Sequence, residues 1–356
     1  MTNTILDINV LQTVPSSNLN RDDTGAPKTA IYGGVTRSRV SSQSWKRAMR
    51  KYFGENDQQL EGLRTKDAAK VLASDLQQVD TQLSEDDALQ KAGEVFKAAG
   101  IKLDKNNQTG ALLLVSAGQL QKLAEYAINH EVLDKKELKK VLKGDQSLDL
   151  ALFGRMVADN PELNVEGSAQ VAHAISTHEI VPEFDYFTAM DDLQSKDNAG
   201  AAMLGTVEYN SATLYRYANL NLNELSENLG GENAISGAIQ FVKSFVMSMP
   251  SGKQNTFANK TLPSYVLVTV RTDTPVNLVS AFETPISSNN GYVAKSIKCL
   301  EDEFTKTLQF TDKPVKTIVL GNPNSEVGDV AMNLSGMLDE LADALKKVTA
   351  DENSHD

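Results

Sequence analysis

The sequence of 356 residues has a single cysteine, Cys299. One thiol excludes an intrachain disulfide and a zinc site built from several thiolates, and it suits a reducing compartment. Long apolar runs are also missing: segments such as 111–115 and 265–270 fall far short of the ~20 residues that a transmembrane helix needs. No basic stretch followed by an apolar run marks a signal peptide at the start. These absences lead us to expect a soluble, cytoplasmic protein.

Cations are scarce overall but concentrated in one place. The chain has 35 Lys and Arg against 47 Asp and Glu, a formal net charge of −12. That average argues against nucleic-acid binding, since nucleic-acid-binding domains are usually basic. Residues 19–53, however, contain eight basic and two acidic residues, a net charge of +6, whereas the rest of the chain carries −18. A polyanion would therefore bind at this basic segment.

Hydrophobic periodicity predicts an α+β chain whose sheet domain is interrupted by helices. We expect strands at 4–14, 263–271 and 315–320, and helices at 40–53, 235–249 and 330–348. A hairpin is predicted from strands 206–209 and 213–219 around a turn at Asn210 and Ser211. Residues 57–163 are poor in Gly and Pro, and four helices are expected there, at 65–76, 85–99, 116–129 and 135–142.

The predicted helix in the basic segment is amphipathic. Its apolar face consists of Trp45, Ala48, Met49, Tyr52 and Phe53, which follow the 3.6-residue period. The opposite face carries four cations, Lys46, Arg47, Arg50 and Lys51. A solvated surface helix is one interpretation of such a strip. A phosphate-binding surface is the other.

The residues before this helix favour the phosphate-binding interpretation. Arg37 and Arg39 alternate in an extended segment, which would place both guanidinium groups on one side. A run of Ser and Gln at 41–44 follows, where a serine hydroxyl could cap the helix and the remaining N–H donors would suit a phosphate. Repeated phosphate contacts would make binding strongly salt-dependent.

Several sequence blocks, in order along residues 5 to about 285, resemble one protein family. The blocks are 19–23 (LNRDD), 31–34 (IYGG), 37–50 (RSRVSSQSWKRAMR), 172–178 (AHAISTH), 187–193 (FTAMDDL), 215–222 (YRYANLNL), 227–231 (ENLGG) and 252–256 (GKQNT). Together they resemble CasC, the backbone subunit of the type I-E CRISPR Cascade complex. The helical segment and the region after Gly291 resemble the family in character only.

The resemblance implies a particular architecture and function. We expect an RRM-like (ferredoxin-like) palm in 1–56 and 181–356, a helical fingers insertion in 57–180 and a β-hairpin thumb at about 195–215. Several copies of such a subunit bind side by side along a guide RNA, together with other Cascade subunits. They display the guide RNA for pairing with target DNA. The family implies no nuclease activity, and we expect no cofactor, no metal and no membrane partner.

The resemblance and the basic segment together imply a set of RNA-binding residues. Donors to the RNA backbone leave base edges free, as a guide of any sequence requires. The expected donors are Arg21, Lys28, Arg37, Arg39, Ser41, Gln43, Ser44, Lys46, Arg47, Arg50, Lys253 and Gln254. A loop of Gly167, Ser168 and Ala169 is expected to cradle the RNA, and Thr206, Val207 and Tyr209 to meet a base at the thumb. Asn255 stands where the family tends to have Arg.

Two other functions compete with this interpretation. The adjacent carboxylates Asp22 and Asp23 could bind Mg²⁺ in a metal-dependent endoribonuclease. A general single-stranded RNA-binding module outside CRISPR is the second alternative. A metal site at His173, His178 and Glu179 is disfavoured, because histidines five residues apart diverge by ~140° on a helix and the zincin motif needs a spacing of four.

Overall fold

The computed structural model describes residues 3–57, 60–157, 160–189 and 203–353. The strands are β1 (Ile5–Ser17), β2 (Thr29–Tyr32), β3 (Val35–Val40), β4 (Leu63–Thr65), β5 (Leu113–Val115), β6 (Ala169–Val171), β7 (Ala174–Ser176), β8 (Glu183–Ala189), β9 (Met203–Asn221), β10 (Tyr265–Arg271), β11 (Lys316–Leu320) and β12 (Asp329–Val330). The helices are α1 (Ser42–Asn56), α2 (Ala68–Val79), α3 (Glu85–Ala98), α4 (Ala117–Asn129), α5 (Lys135–Lys143), α6 (Leu148–Phe153), α7 (Leu222–Leu229), α8 (Gly231–Met247), α9 (Gln254–Phe257), α10 (Val293–Thr307) and α11 (Leu334–Asn353). The α+β class is confirmed.

The chain divides into two compact units. Unit 1 comprises 1–49, 171–219 and 242–356, and unit 2 comprises 50–170 and 220–241. The predicted fingers insertion covers 57–180. Unit 2 of the structure begins seven residues before that range, ends its first segment at residue 170 and also contains 220–241. The names palm, fingers and thumb remain predictions. No helix of the described residues is long and apolar enough to cross a membrane.

Unit 1 is built on a mostly antiparallel sheet with the strand order β12-β11-β10-β1-β9-β7-β3-β2. β1 lies antiparallel to β10, with Ile5 opposite Arg271 and Leu11 opposite Tyr265. Alternate residues of β10 face opposite sides of the sheet. Tyr265 and Leu267 join a buried cluster that includes residues of α10. All seven residues of β10 are buried, so both sides of this strand are covered.

The central strand β1 is buried on both faces, although its alternation suggested one apolar face. Leu6, Ile8 and Val10 are apolar, but Asp7 and Asn9 on the other face are also buried. Two tyrosine hydroxyls of β9 donate to them: Tyr217 to Asp7 Oδ1 at 2.6 Å and Tyr215 to Asn9 Oδ1 at 2.8 Å. These hydrogen bonds offset the cost of burying the polar side chains of Asp7 and Asn9.

Trp45 fixes the first turn of α1 to unit 1. Its ring is fully buried, and the guanidinium carbon of Arg216 lies 3.7 Å from the ring centroid. Arg216 in turn donates to Gln12 Oε1 at 2.6 Å. Burial lowers the pKa of Arg216 to about 9. Of the apolar face predicted for this helix, Trp45, Ala48, Met49 and Phe53 are buried and Tyr52 is partly buried.

Unit 2 is a helical cluster with the two-stranded sheet β4–β5. Its core is formed mainly by Ala, Leu and Val side chains of α2, α3, α4 and α5. Polar caps begin three of these helices: Ser84 accepts from Asp87 N, Ser116 and Gln119 form a capping box, and Asp134 caps α5. Caps satisfy the first free N–H groups of a helix. The four helices expected in this region are confirmed, with boundaries within three residues.

The hairpin turn predicted at Asn210 and Ser211 was wrong. Residues 203–221 form one continuous strand, β9, which passes through Asn210 and Ser211 without turning. Its partner in the hairpin is β8, with Glu183 opposite Tyr209 and Ala189 opposite Met203. The segment that joins them, 190–202, lies outside the described residues, and so does the beginning of the predicted thumb at 195–202. Every residue of β8 is exposed.

Candidate nucleic-acid interface

The loop before β2 carries two of the predicted RNA-binding cations. Arg21 is exposed and Lys28 is partly exposed, and the loop is closed by a backbone bond from Lys28 N to Asn20 O at 2.8 Å. Within it, Asp22 Oδ1 accepts from the Thr24 hydroxyl at 2.7 Å and from the backbone N–H groups of Thr24 and Ala26. These bonds, the Thr24 hydroxyl first, lower the pKa of Asp22. Asp22 therefore shapes the loop that presents the cations.

Arg37 and Arg39 share a face of β3 but meet different surroundings. Arg39 is partly exposed, and its Nε donates to Thr29 O at 2.9 Å. Arg37 is fully buried, and it donates to the carbonyls of Tyr32, Ser176 and Phe282 at 3.1, 2.9 and 2.8 Å. Each of its three nitrogens donates to one of these carbonyls, and its burial keeps the guanidinium group away from RNA. This corrects the expectation that both guanidinium groups are available.

The loop after Pro250 carries Lys253 and Gln254, both partly exposed. A Cβ on Gly252 would lie 2.2 Å from Leu19 O, so only glycine lets this loop approach the 18–19 backbone so closely. Lys253 has a φ of 51°, an uncommon conformation for a residue with a side chain. The close approach places the Lys253 loop beside the segment that leads to Arg21.

The hairpin of β8 and β9 begins beside the 18–19 backbone and the loop that carries Lys253. Tyr209 lies near its base, and its ring centroid is 5.6 Å from that of Phe257 in α9. The buried amide of Asn18 donates at 2.9 Å to two carbonyls, Gly25 O in the cationic loop and Glu208 O in β9. One side chain thus connects the loop with the hairpin base. Sequence reasoning missed Asn18 and Phe257, since neither stands in a recognisable motif.

The other two thumb residues lie along β9. Thr206 is exposed opposite Tyr186, and Val207 is partly exposed opposite Asp185. Tyr209 also donates a long hydrogen bond, 3.4 Å, to Glu183 Oε2. An accessible aromatic ring at the base of an exposed ribbon is a surface on which a nucleic-acid base can stack.

Helix α1 presents its predicted donors unequally. Gln43, Arg47 and Lys51 are exposed, Ser44 and Lys46 are partly buried, and Ser41 is buried just before the helix. Burial lowers the pKa of Lys46. The backbone N–H of Ser41 donates to Asn20 Oδ1 at 2.9 Å, which ties the helix start to the cationic loop. Arg47 is therefore the most accessible cation among the residues of α1 predicted to bind RNA.

Two residues predicted to contact RNA, Arg50 and Ser168, lie in unit 2 and form hydrogen bonds with other residues of that unit. Arg50 donates from Nε to Asp149 Oδ2 at 2.6 Å and from Nη2 to Gly62 O at 2.8 Å. Ser168 is buried, and its hydroxyl donates to Ala151 O at 3.0 Å. These bonds are structural, and they leave Arg50 and Ser168 less available for RNA than the sequence suggested.

Gly167 and Ala169 complete the predicted RNA-cradling loop. A Cβ on Gly167 would lie 2.9 Å from Leu152 O, so the glycine permits close packing against the end of α6. Ala169 is buried. In the isolated chain these residues serve packing, and their contact with RNA stays a prediction.

His178 has a structural role in the sheet of unit 1. His178 is buried, its Nε2 accepts from Thr213 N at 3.1 Å, and its ring stacks on Tyr292 with centroids 3.6 Å apart. Nδ1 therefore carries the proton and donates to Glu179 O at 2.7 Å. Across the described ranges, no group of three or more His, Cys, Asp or Glu side chains is arranged to hold a metal ion.

The sequence profile of the family described as CT1975-like protein, a Cas family, matches residues 6–344. The chain belongs to the CT1975-like protein family. No curated protein matches it significantly.

Two solved structures resemble this CT1975-like chain over nearly its whole length. A chain of a structure described as "CRISPR RNA-guided surveillance complex, pre-nicking" is 31% identical, with a TM-score of 0.87. A chain of a second, described as "CRISPR RNA-guided surveillance complex", is 26% identical, with a TM-score of 0.74. In each case the match covers 96% of this chain and 99% of the other. The similarity therefore extends beyond one motif or one unit.

Proposed function

We propose that this chain is a subunit of a CRISPR RNA-guided surveillance complex of type I-E, the CasC backbone subunit, which binds the guide RNA in several copies. The observation that carries the proposal is the match over 96% of this chain to a chain of a CRISPR RNA-guided surveillance complex, at 31% identity and a TM-score of 0.87. The guide RNA, neighbouring copies, other Cascade subunits and the target DNA strand are its proposed partners.

The geometry at the hairpin base supports RNA binding. Exposed or partly exposed cations from three separate segments surround it: Arg21 and Lys28 from one loop, Arg39 from β3 and Lys253 from another loop. Guanidinium and ammonium groups bind phosphates whatever the base sequence, which a guide-binding protein requires. Tyr209 adds an aromatic ring for stacking. We propose a binding role without catalysis.

Purification without nuclease treatment tests the proposal directly. A guide-binding subunit should carry RNA, which gives a high ratio of absorbance at 260 to 280 nm and a mass well above 38.7 kDa. Protein that stays monomeric and does not bind single-stranded RNA at low salt would refute it. The complex should also form with RNA of any sequence, because the proposed contacts are to the backbone.

Charge reversal identifies which cations contact the RNA. Arg21→Glu and Lys253→Glu should each weaken binding and reduce the magnitude of the slope of log K against log salt by about 0.7, the value per phosphate contact on a single strand. Lys298→Glu, on the exposed side of α10, is the matched control. Unchanged slopes in both test variants would remove these residues from the interface.

The endoribonuclease alternative is tested in the same samples. Asp22 and Asp23 are both exposed, and Asp22 also accepts hydrogen bonds from its own loop. Cleavage of labelled RNA in Mg²⁺ that disappears in Asp22→Ala or Asp23→Ala would favour catalysis and contradict the proposed role. We expect intact RNA with the wild type and with both variants.

A further inference from the structure

His173 lies between β6 and β7, within hydrogen-bonding distance of a cation. Its Nδ1 is 3.1 Å from Nη1 of Arg39. A guanidinium group can only donate, so Nδ1 must accept. The imidazole is therefore neutral in the free chain, and its proton is on Nε2. The exposed ring leaves that N–H available to a ligand.

The surroundings of His173 are positively charged. The charged groups that act on it are Arg39, from the adjacent strand β3, and Lys28, from the loop before β2. Desolvation, and after it these two cations, lower the pKa of His173. Within the described part of the chain no carboxylate forms an ion pair with Arg39 or Lys28, whereas Arg271 and Lys316 have such partners. An anion would relieve the repulsion within this group.

We propose that Lys28, Arg39 and His173 form a phosphate site for single-stranded RNA, and that His173 takes up a proton when the phosphate binds. The inference rests on the proposed RNA-binding function and goes beyond it, because it adds a residue and a proton to the interface. A phosphate oxygen accepts from both cations and from the imidazole. Its negative charge then favours the imidazolium form, in which Nδ1 gives up its hydrogen bond from Arg39 and both ring nitrogens donate.

The test measures the affinity of a labelled single-stranded RNA for the full chain across about pH 8 to pH 5.5, the range in which histidine titrates. Wild-type affinity should rise as the pH falls, by about tenfold for each unit by which binding raises the His173 pKa. His173→Gln, which keeps hydrogen-bonding capacity but cannot charge, should lose most of this rise. His130→Gln, an exposed histidine of unit 2, is the control and should retain it.

Three outcomes separate this inference from the proposed function. Failure of the wild-type chain to bind RNA at any pH refutes both. RNA binding with the same pH dependence in His173→Gln as in the wild type refutes the His173 site alone. Single-stranded DNA should show the same pH dependence, because the site takes the phosphate; a dependence confined to RNA would contradict this assignment.

Nuclear magnetic resonance gives a direct measurement. With histidine-labelled protein, the His173 ring signal should titrate at a higher pH with RNA than without it, and adding RNA at a fixed pH should leave the His130 signal unchanged. This shift distinguishes proton uptake at the site from a loss of structure in the variant. An unchanged His173 titration on RNA binding would overturn the proposal.

Discussion

Asp7 is a carboxylic acid in the middle of the unit 1 sheet, with only 2% of its surface exposed. Desolvation raises its pKa from 3.8 to about 6. This rise in pKa is opposed, but not cancelled, by the Tyr217 hydroxyl, the N–H of Val276 and the charge of Arg271. Arg271 compensates little because its guanidinium pairs with Asp273 at 2.9 Å through both Nε and Nη2.

The raised pKa makes the stability of unit 1 depend on pH. Well below its ordinary pKa of 3.8, Asp7 is protonated in the folded and the unfolded chain and contributes no pH dependence. Between about pH 4 and pH 6 the unfolded chain releases the proton while the folded chain keeps it, so stability falls as the pH rises. A shift of about two units corresponds to about 3 kcal/mol lost once both forms are ionised.

Asp7→Asn should remove this loss, because an amide does not ionise. The free energy of unfolding of the variant, relative to wild type, should therefore rise by about 3 kcal/mol from pH 4 to pH 7. Urea unfolding followed by Trp45 fluorescence is the assay, since the single tryptophan is buried in unit 1. Using the difference between the proteins cancels the titration of the other carboxylates.

The control and the refutation follow from the same measurement. Asp302→Asn, at an exposed position of α10, should show no such trend. A difference between Asp7→Asn and wild type that stays constant from pH 4 to pH 7 would refute the reasoning, because it would mean that burial does not favour the neutral form. A difference that falls with rising pH would show that Arg271 outweighs desolvation.

Two substitutions test contacts that hold each unit together. Arg50→Ala leaves the buried carboxylate of Asp149 without its cation and should destabilise unit 2 by about 3 kcal/mol in chemical unfolding followed by circular dichroism; Lys51→Ala, at the exposed neighbour, should change it by less than about 0.5 kcal/mol. Equal losses would contradict the pairing. Gly252→Ala adds a Cβ that would lie 2.2 Å from Leu19 O, so the two loops must separate and RNA affinity should fall several-fold in a filter-binding assay. Unchanged affinity would separate that loop from RNA binding.

The helices show what local sequence can predict. In α1 and in α2 to α5, the apolar residues recur at the helical period, and Ser84, Ser116 and Asp134 stand where a cap is needed. A helix is made from contacts three and four residues apart, so its periodicity and caps are both visible in a short window. The basic segment that presents Arg21, Lys28 and Arg39 was visible for the same reason, as a local excess of charge.

The hairpin shows where such reasoning fails. Residues 203–221 alternate as two strands with a turn would, but the same alternation fits one long strand. The choice depends on pairing with β8, whose residues 183–189 are distant in sequence from most of β9. Local propensity could not rank these partners, because strand pairing is settled by contacts across the sheet.

Composition and periodicity alone determined the α+β class, the amphipathic α1 and the location of the cationic segment in this chain. The tertiary structure decided which of those cations are accessible. Arg37 and Arg39 stand two residues apart on one face of β3, yet one is enclosed by the carbonyls of Ser176 and Phe282 and the other reaches His173 at the surface. Burial depends on segments more than a hundred residues away, which no local pattern encodes.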